Sequence, residues 1–220
     1  MNIIKPSATV VNPCEELMTI EQYMKCLVKH IETVGRVCYK SEQNITEDSY
    51  EGFVRRLIDR GHEAMIEHSG FTVRFIVDRG VSHELVRHRI ASFAQESTRY
   101  CNYSKDKHGN EITVIEPFFF KEGRSDEYNV WLSSMEVSEY YYMGLIKSGA
   151  TPQEARSVLP NSVKTEVMMT ANFREWRNFF KLRIAKGAHP QMREVTIPLL
   201  RYLQGVCPII FDDIVVPEDV

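Results

Sequence analysis

The 220-residue sequence contains 43% hydrophobic and 26% charged residues, and its net charge is −3 with histidine neutral. This composition is typical of a globular protein that buries its own core, and the mildly acidic balance argues against a general nucleic-acid binder, which usually carries a basic excess. Because no apolar run approaches the roughly 18 residues of a membrane span and the N-terminus lacks a signal-peptide pattern, we expect no membrane association.

Apolar residues at helical spacing predict two helices within the first 60 residues. The first runs from Thr19 to Val34, with Thr19 and Gln22 as a capping box and Gly35 as a stop signal. The second runs from Asp48 to Arg60 and ends at Gly61.

The hydrophobic period then changes from helical to alternating. Residues 71–78, FTVRFIVD, alternate in the way that is typical of a half-buried strand. A short helix is predicted from Ser82 to His88 with Ser82 as its N-cap, and a short strand over residues 112–115.

Helical signals dominate the second half of the chain. A long, aromatic-rich helix is predicted from Asp126 to Ser148, closed by Gly149, and the run Thr151-Pro152-Gln153-Glu154 is a strong helix start. The remaining predicted elements are a strand over 163–171, a helix over 172–184, a last helix over 192–203 and an edge strand over 209–216. Helices outnumber strands, and the strands are not spaced as regular βαβ units. We therefore predict a single α+β domain over residues 1–220, with helices packed on a small, mostly antiparallel sheet.

Five scattered cysteines form no CxxC pair, and their number is odd. Thiols of this kind are typical of a reducing compartment, so we expect free cysteines and a cytoplasmic protein. The five are Cys14, Cys26, Cys38, Cys101 and Cys207.

The most unusual segment runs from Arg87 to Arg99 and is rich in arginine. In an extended chain, residues two apart face the same way, so Ser97 and Arg99 could hold one phosphate together and Arg87 and Arg89 another. The alternative is a solvated basic turn that pairs with the neighbouring acids Glu84 and Glu96.

The whole segment resembles the signature of the flavin-dependent thymidylate synthases, which is Arg-His-Arg, seven residues, then Ser-x-Arg. Residues 87–89 supply the first part, and Ser97 and Arg99 supply the second after the expected gap of seven. Three further stretches resemble other segments of that family: GHEAMIEH at 61–68, ARSVLP at 155–160, and NFR at 172–174 followed by Asn178 and Leu182-Arg183.

The resemblance implies a dUMP site and an FAD site. The dUMP site would consist of Glu84, Leu85, Val86, Arg87, Gln95, Glu96, Ser97, Thr98, Arg99, Arg156 and Arg183. The FAD site would consist of His62, Ala64, Glu67, Arg87, His88, Arg89, Gln95, Asn172, Phe173, Arg174, Asn178 and His189. Two positions depart from the family's pattern: Glu84 stands where glutamine is common, and Ala64 where serine or threonine often contacts FAD.

The resemblance also implies an activity, a mechanism and an assembly. The enzyme would methylate dUMP to dTMP with methylene-tetrahydrofolate as carbon donor and NADPH as the reductant of the flavin, in a homotetramer whose subunits share active sites. Arg183 would activate the uracil ring as a fixed cation. We expect no protein nucleophile, since nothing in the sequence around Cys101 marks an activated thiolate.

Two other classes of protein remain as alternatives. His62, His68, His83 and His88 lie close together in sequence and would suit a metal-dependent nucleotide hydrolase, although Ile66 stands where the zincin spacing needs a second histidine. We therefore predict no metal. The other alternative is a nucleotide- or RNA-binding module that uses the Arg87–Arg99 loop.

Overall fold

The computed structural model describes residues 1–105, 109–120 and 124–217. The helices are α1 (Ile20–Val37), α2 (Ser49–Asp59), α3 (Arg79–Leu85), α4 (Ser125–Lys147), α5 (Pro152–Ala155), α6 (Phe173–Arg183), α7 (Pro190–Val206) and α8 (Pro208–Phe211). The strands are β1 (Asn2–Ile4), β2 (Ser7–Val11), β3 (Gly70–Asp78), β4 (Ala91–Gln95), β5 (Thr113–Ile115) and β6 (Lys164–Asn172).

The fold is the predicted mixture of helices and a small antiparallel sheet. Four strands form this sheet in the order β2-β3-β6-β4. A separate pair joins β1 and β5 in parallel, with Asn2 opposite Thr113 and Ile4 opposite Ile115. In the described part of the chain, no helix is both long enough and apolar enough to cross a membrane.

The chain divides into two compact units. The first contains residues 1–7, 75–87 and 94–167, and the second contains residues 8–74, 88–93 and 168–220. The prediction of a single domain over residues 1–220 stays a prediction.

The first unit has a core built largely on α4. Trp131, Met135 and Tyr142 of this helix are buried together with Val114 of β5 and Val163. The helix ends as predicted, because Gly149 has a φ of +95° that side chains rarely adopt.

The second unit has an aromatic core between β3 and α6. Phe71 stacks on Trp176 with ring centroids 5.0 Å apart, and the Trp176 indole N–H donates to the Phe71 carbonyl at 3.1 Å. Phe173 and Phe180 complete the buried face of α6, so the predicted amphipathic helix and the predicted strand are both confirmed.

The start of α1 is confirmed, but its predicted end at Gly35 is wrong. Thr19 and Gln22 form both hydrogen bonds of the capping box, and the helix continues to Val37. Gly35 is buried inside the helix, where an added Cβ would lie 2.6 Å from Cε1 of Phe53. This glycine therefore permits close packing on α2 and does not terminate the helix.

Ser82 does not cap the helix that follows β3. The helix begins three residues earlier, at Arg79, because the Asp78 carboxylate accepts the Val81 N–H at 2.7 Å. Ser82 is buried within α3, and its hydroxyl donates to the Arg79 carbonyl.

The C-terminal predictions need two corrections. Helix α7 is longer than the predicted 192–203, since His189 caps it and Pro190 occupies its first turn. The predicted edge strand over 209–216 is wrong: Pro208 starts the short helix α8, and Phe211 packs against Phe173 and Phe180. Sequence patterns also missed three strands, β1, β2 and β4.

Candidate active site

A cavity of about 490 Å³ lies in the second unit beside the first turns of α6. Four of the residues predicted to bind FAD line it, namely Glu67, Asn172, Arg174 and Asn178. The other lining residues are Glu63, Ile90, Glu175, Arg177 and Lys181. The local sequence explains the clustering, because Asn172 caps α6 by accepting the Glu175 N–H at 2.9 Å, and the charged residues follow within its first turns.

Acidic and basic side chains form ion pairs at this cavity. Arg174 pairs with Glu67, with Nη1 and Oε1 2.5 Å apart, and its Nε lies 3.6 Å from Glu63. Arg177 is buried and binds Asp213 at 2.6 Å, an ion pair that lowers the pKa of Asp213. Guanidinium, ammonium and amide donors beside carboxylate acceptors suit a ligand that carries both phosphates and hydroxyl or amino groups.

His88 is the buried member of the Arg-His-Arg triplet, and it contacts α6 at both ends of that helix. Its Nδ1 lies 2.9 Å from Oε1 of Glu175, and Arg183 Nε donates to its Nε2 at 3.0 Å. Phe179 packs edge-on against the ring, with centroids 5.0 Å apart. Burial lowers the pKa of His88, the Glu175 hydrogen bond opposes this shift, and the Arg183 charge adds to it. The lowered pKa and the hydrogen bond from Arg183 to Nε2 both favour the neutral ring.

Arg183, the predicted activating residue, is the last residue of α6. Besides the His88 contact, its carbonyl oxygen accepts the Thr196 hydroxyl of α7 at 3.2 Å. Both its side chain and its backbone are therefore tied to neighbouring groups of the second unit.

Three residues predicted to bind the dUMP phosphate belong to the first unit, where Ser97 to Arg99 form a turn and Arg156 begins a 3₁₀ helix. Arg156 Nη1 donates to the Thr98 hydroxyl at 3.3 Å. The structure thus brings the 155–160 stretch to the Ser97–Arg99 turn, two segments that are 58 residues apart in sequence.

The Arg87–Arg99 segment is extended only in part. Only Ala91–Gln95 is a strand, and Arg87 and Arg99 lie in turns before and after it. The cause at the second turn is local hydrogen bonding, since the carbonyl of Ser97 accepts both the Tyr100 and the Cys101 N–H. The alternation argument for paired side chains therefore does not apply to Ser97 and Arg99.

The three arginines of this segment are all exposed. Among the described residues, the guanidinium groups of Arg87 and Arg89 form no ion pair. The solvated-turn alternative predicted that Glu96 pairs with these arginines. Glu96 instead binds Lys164 at 2.7 Å and accepts the Tyr103 hydroxyl at 3.2 Å. Burial raises the pKa of Tyr103, so the phenol stays protonated and donates.

The other residues predicted to bind dUMP differ in burial and in hydrogen bonding. Leu85 is fully buried and Val86 half-buried, so the apolar side chain of Leu85 serves the core. Gln95 is tied within the first unit, where its amide donates to the hydroxyls of Ser82 and Thr165 at 3.0 and 3.2 Å. Glu84 is half-buried on α3.

The remaining residues predicted for FAD belong to the second unit. His62 and Ala64 are exposed at the start of the 3₁₀ helix Glu63–His68, which also carries Glu67. Phe173 is fully buried in the aromatic core, and His189 caps α7 through a 3.3 Å hydrogen bond from the Gln191 N–H.

Sequence reasoning missed five lining residues, namely Glu63, Ile90, Glu175, Arg177 and Lys181. Glu175 carried a usable signal, because it stands three residues after the N-cap Asn172 and is an acidic residue in the first turn of the helix. Within the described ranges, no three His, Cys, Asp or Glu side chains are arranged to hold a metal ion.

A family model described as "Thymidylate synthase complementing protein" matches residues 19–209 of this chain. The chain therefore belongs to the thymidylate synthase complementing protein family. Its relatives include a "Flavin-dependent thymidylate synthase" of Geobacter sulfurreducens, 33% identical over 186 residues, which are 81% of this chain and 78% of the relative. Proteins with the same name from Pyrococcus furiosus and Corynebacterium glutamicum are 33% and 31% identical, each over 83% of this chain and over 77% and 78% of the relative.

Proposed function

We propose that this protein is a flavin-dependent thymidylate synthase, which methylates dUMP to dTMP with FAD, methylene-tetrahydrofolate and NADPH. The observation that carries this function is the family match over residues 19–209, which includes the complete Arg-His-Arg and Ser-x-Arg motif. The metal-dependent hydrolase and the RNA-binding module have no support, because the relatives are named as thymidylate synthases.

The α6 cavity fits the flavin cofactor by its chemistry. Arg174 and Lys181 offer cationic donors for a pyrophosphate, while Asn178 and Glu67 offer hydrogen-bonding groups for hydroxyl and amino groups. The bound flavin supplies the reducing equivalents of the reaction, and the protein supplies orientation and charge. We propose that His62, Ala64, Arg87, His88, Arg89, Gln95, Asn172, Phe173 and His189 complete this site, as the family resemblance implies.

The residues that the family resemblance implies for dUMP are proposed to bind the substrate. Ser97, Arg99 and Arg156 would hold the dUMP phosphate, and the Arg156–Thr98 hydrogen bond supports their acting together. Arg183 would place a fixed cation beside the uracil ring and raise the electron density at C5. Glu84, Leu85, Val86, Arg87, Gln95, Glu96 and Thr98 would contribute the rest of the substrate contacts.

We propose a cytoplasmic homotetramer with shared active sites. All five cysteines are free thiols, which supports a reducing compartment. Helix α4 exposes a row of apolar side chains that supports association of copies, with Val130 72% and Tyr140 73% exposed. Light scattering on the purified protein should give four times the chain mass, and a monomer at micromolar concentration would contradict this assembly.

The visible absorption spectrum tests the proposed function at the cofactor. We expect the purified protein to retain FAD after free flavin is removed, and addition of dUMP to perturb the flavin bands. Arg174→Ala should weaken FAD retention, whereas Arg201→Ala on the exposed face of α7 should not. A protein that retains no flavin under any of these conditions would overturn the proposal.

A further inference from the structure

Hydrogen-bond donors and acceptors fix the protonation pattern of the His88 ring. Arg183 Nε, which can only donate, lies 3.0 Å from His88 Nε2, so Nε2 must present its lone pair. The single proton of the neutral ring is then on Nδ1, which donates to Glu175 at 2.9 Å. Glu175, His88 and Arg183 therefore form one directed chain of hydrogen bonds.

Glu175 is buried, like the His88 ring, and both of its carboxylate oxygens accept hydrogen bonds. Its side chain is 8% exposed and that of His88 is 4% exposed, so water does not compete with the hydrogen bond between them. The second carboxylate oxygen accepts the Asn178 amide at 3.2 Å, and the Glu175 N–H donates to Asn172. An ionised carboxylate has only acceptors, so it tolerates no tautomer of His88 other than the one with a proton on Nδ1.

We propose that Glu175 is a positioning residue for the reaction, because it holds His88 in the tautomer that orients the Arg183 guanidinium. The inference rests on the proposed function, in which Arg183 polarises the uracil ring. A guanidinium is planar and rigid, so fixing the direction of its Nε–H fixes the plane of the whole group. Loss of this constraint leaves the charge of Arg183 in place but removes its alignment.

The wild-type protein provides the first test, which needs no turnover. Solid-state ¹⁵N NMR of histidine-labelled protein at pH 7 should show His88 with a protonated Nδ1 and an unprotonated, hydrogen-bonded Nε2. The His88→Gln variant assigns the signal by its disappearance. A proton on Nε2, or on both nitrogens, would overturn the inference.

The second test separates alignment from binding. Glu175→Gln keeps size and polarity, but its amide can also donate to Nδ1 and so admits the wrong tautomer, in which Nε2–H faces the donor of Arg183. In the FAD-loaded enzyme we expect kcat to fall about tenfold or more, with the Kd for FAD and the KM for dUMP changed less than threefold. The ¹⁵N spectrum should show mixed His88 tautomers.

The matched control is Glu32→Gln, another buried glutamate, which pairs with Arg36 in α1. This variant should lose stability but keep the wild-type kcat. A Glu175→Gln enzyme with wild-type kcat, or one whose kcat loss equals that of Glu32→Gln, would reduce Glu175 to a structural role. If the NMR pattern is as expected but no variant, wild type included, forms dTMP, the proposed function fails and the hydrogen-bonded chain stands.

Discussion

Two segments supply the side chains assigned to the dUMP phosphate, and Arg99 is an exposed cation in the first of them. Its guanidinium packs over the Tyr100 ring, with Cζ 5.4 Å from the centroid, and a phosphate would replace water around it. Charge-assisted hydrogen bonds of this kind contribute about 1.5–3 kcal/mol. Arg99→Ala should therefore raise the KM for dUMP roughly 10- to 100-fold, measured by initial rates.

A matched control for Arg99 is Arg60→Ala, which removes another exposed cation, at the end of α2. Steady-state kinetics of this variant should match the wild type. An unchanged KM in Arg99→Ala would remove Arg99 from the substrate site.

Cys101 is the cysteine closest in sequence to the Ser97–Arg99 turn, and it tests the absence of a protein nucleophile. Its side chain packs against the core of the first unit, which gives it a structural role. Cys101→Ala should keep kcat within about twofold and lower the melting temperature slightly, because buried atoms are lost. Loss of turnover in a folded, flavin-loaded Cys101→Ala protein would show that a thiolate takes part in the reaction.

The sequence predicts the motif residues but not how they are connected. Spacing identifies Arg87–His88–Arg89 and Arg183, since the pattern is local. It does not indicate that His88 bonds to Glu175, because these residues are 87 positions apart and meet only after α6 packs. Buried hydrogen-bond partners of this kind depend on tertiary structure.

The two predicted capping boxes are confirmed, whereas the predicted Ser82 cap and the predicted stop at Gly35 are not. Thr19 with Gln22 and Thr151 with Glu154 form the capping boxes that the sequence indicates. The predicted stop at Gly35 is wrong because this glycine makes room for the Phe53 ring and does not end the helix. Strand β4 was missed because its burial alternates only between half-buried and exposed, which leaves a weak hydrophobic pattern.

Gly70 opens β3 at a point where the neighbouring strand approaches closely. An added Cβ would lie 2.4 Å from the Ala171 carbonyl oxygen and 2.8 Å from the Asn172 Cα, and both are backbone atoms that cannot rotate away. Gly70→Ala should lower the free energy of unfolding by about 1–3 kcal/mol, measured by urea denaturation.

Gly144 provides the opposite case within α4. Nothing lies within 4 Å of an added Cβ there, so Gly144→Ala should raise the free energy of unfolding by about 0.5–1 kcal/mol through helix propensity. Equal effects of the two substitutions would contradict the close approach of β3 and β6.

The stability of the whole molecule should depend on pH through His88. Burial lowers the pKa of His88 below its ordinary value of 6.5, so below that pH the unfolded chain binds more protons than the folded one. Stability therefore falls as the pH drops through 6.5 toward the folded pKa, and the full contribution is present above 6.5.

Urea unfolding at pH 7.5 and 5.5 measures this dependence. The wild type should lose more free energy of unfolding between the two pH values than His88→Gln does, while His83→Gln, which changes an exposed histidine, should behave like the wild type. Equal losses in wild type and His88→Gln would mean that the folded protein accommodates a charged ring.

Formation of dTMP from dUMP tests the central claim most directly. The purified protein is incubated with dUMP, FAD, methylene-tetrahydrofolate and NADPH, each is omitted in turn, and dTMP is quantified by chromatography. Once any FAD carried by the protein has been removed, we predict dTMP only in the complete mixture. The Arg183→Ala variant should still bind FAD but form dTMP at least a hundredfold more slowly. No dTMP from flavin-loaded wild type, or dTMP formed equally well without flavin, would contradict the assignment.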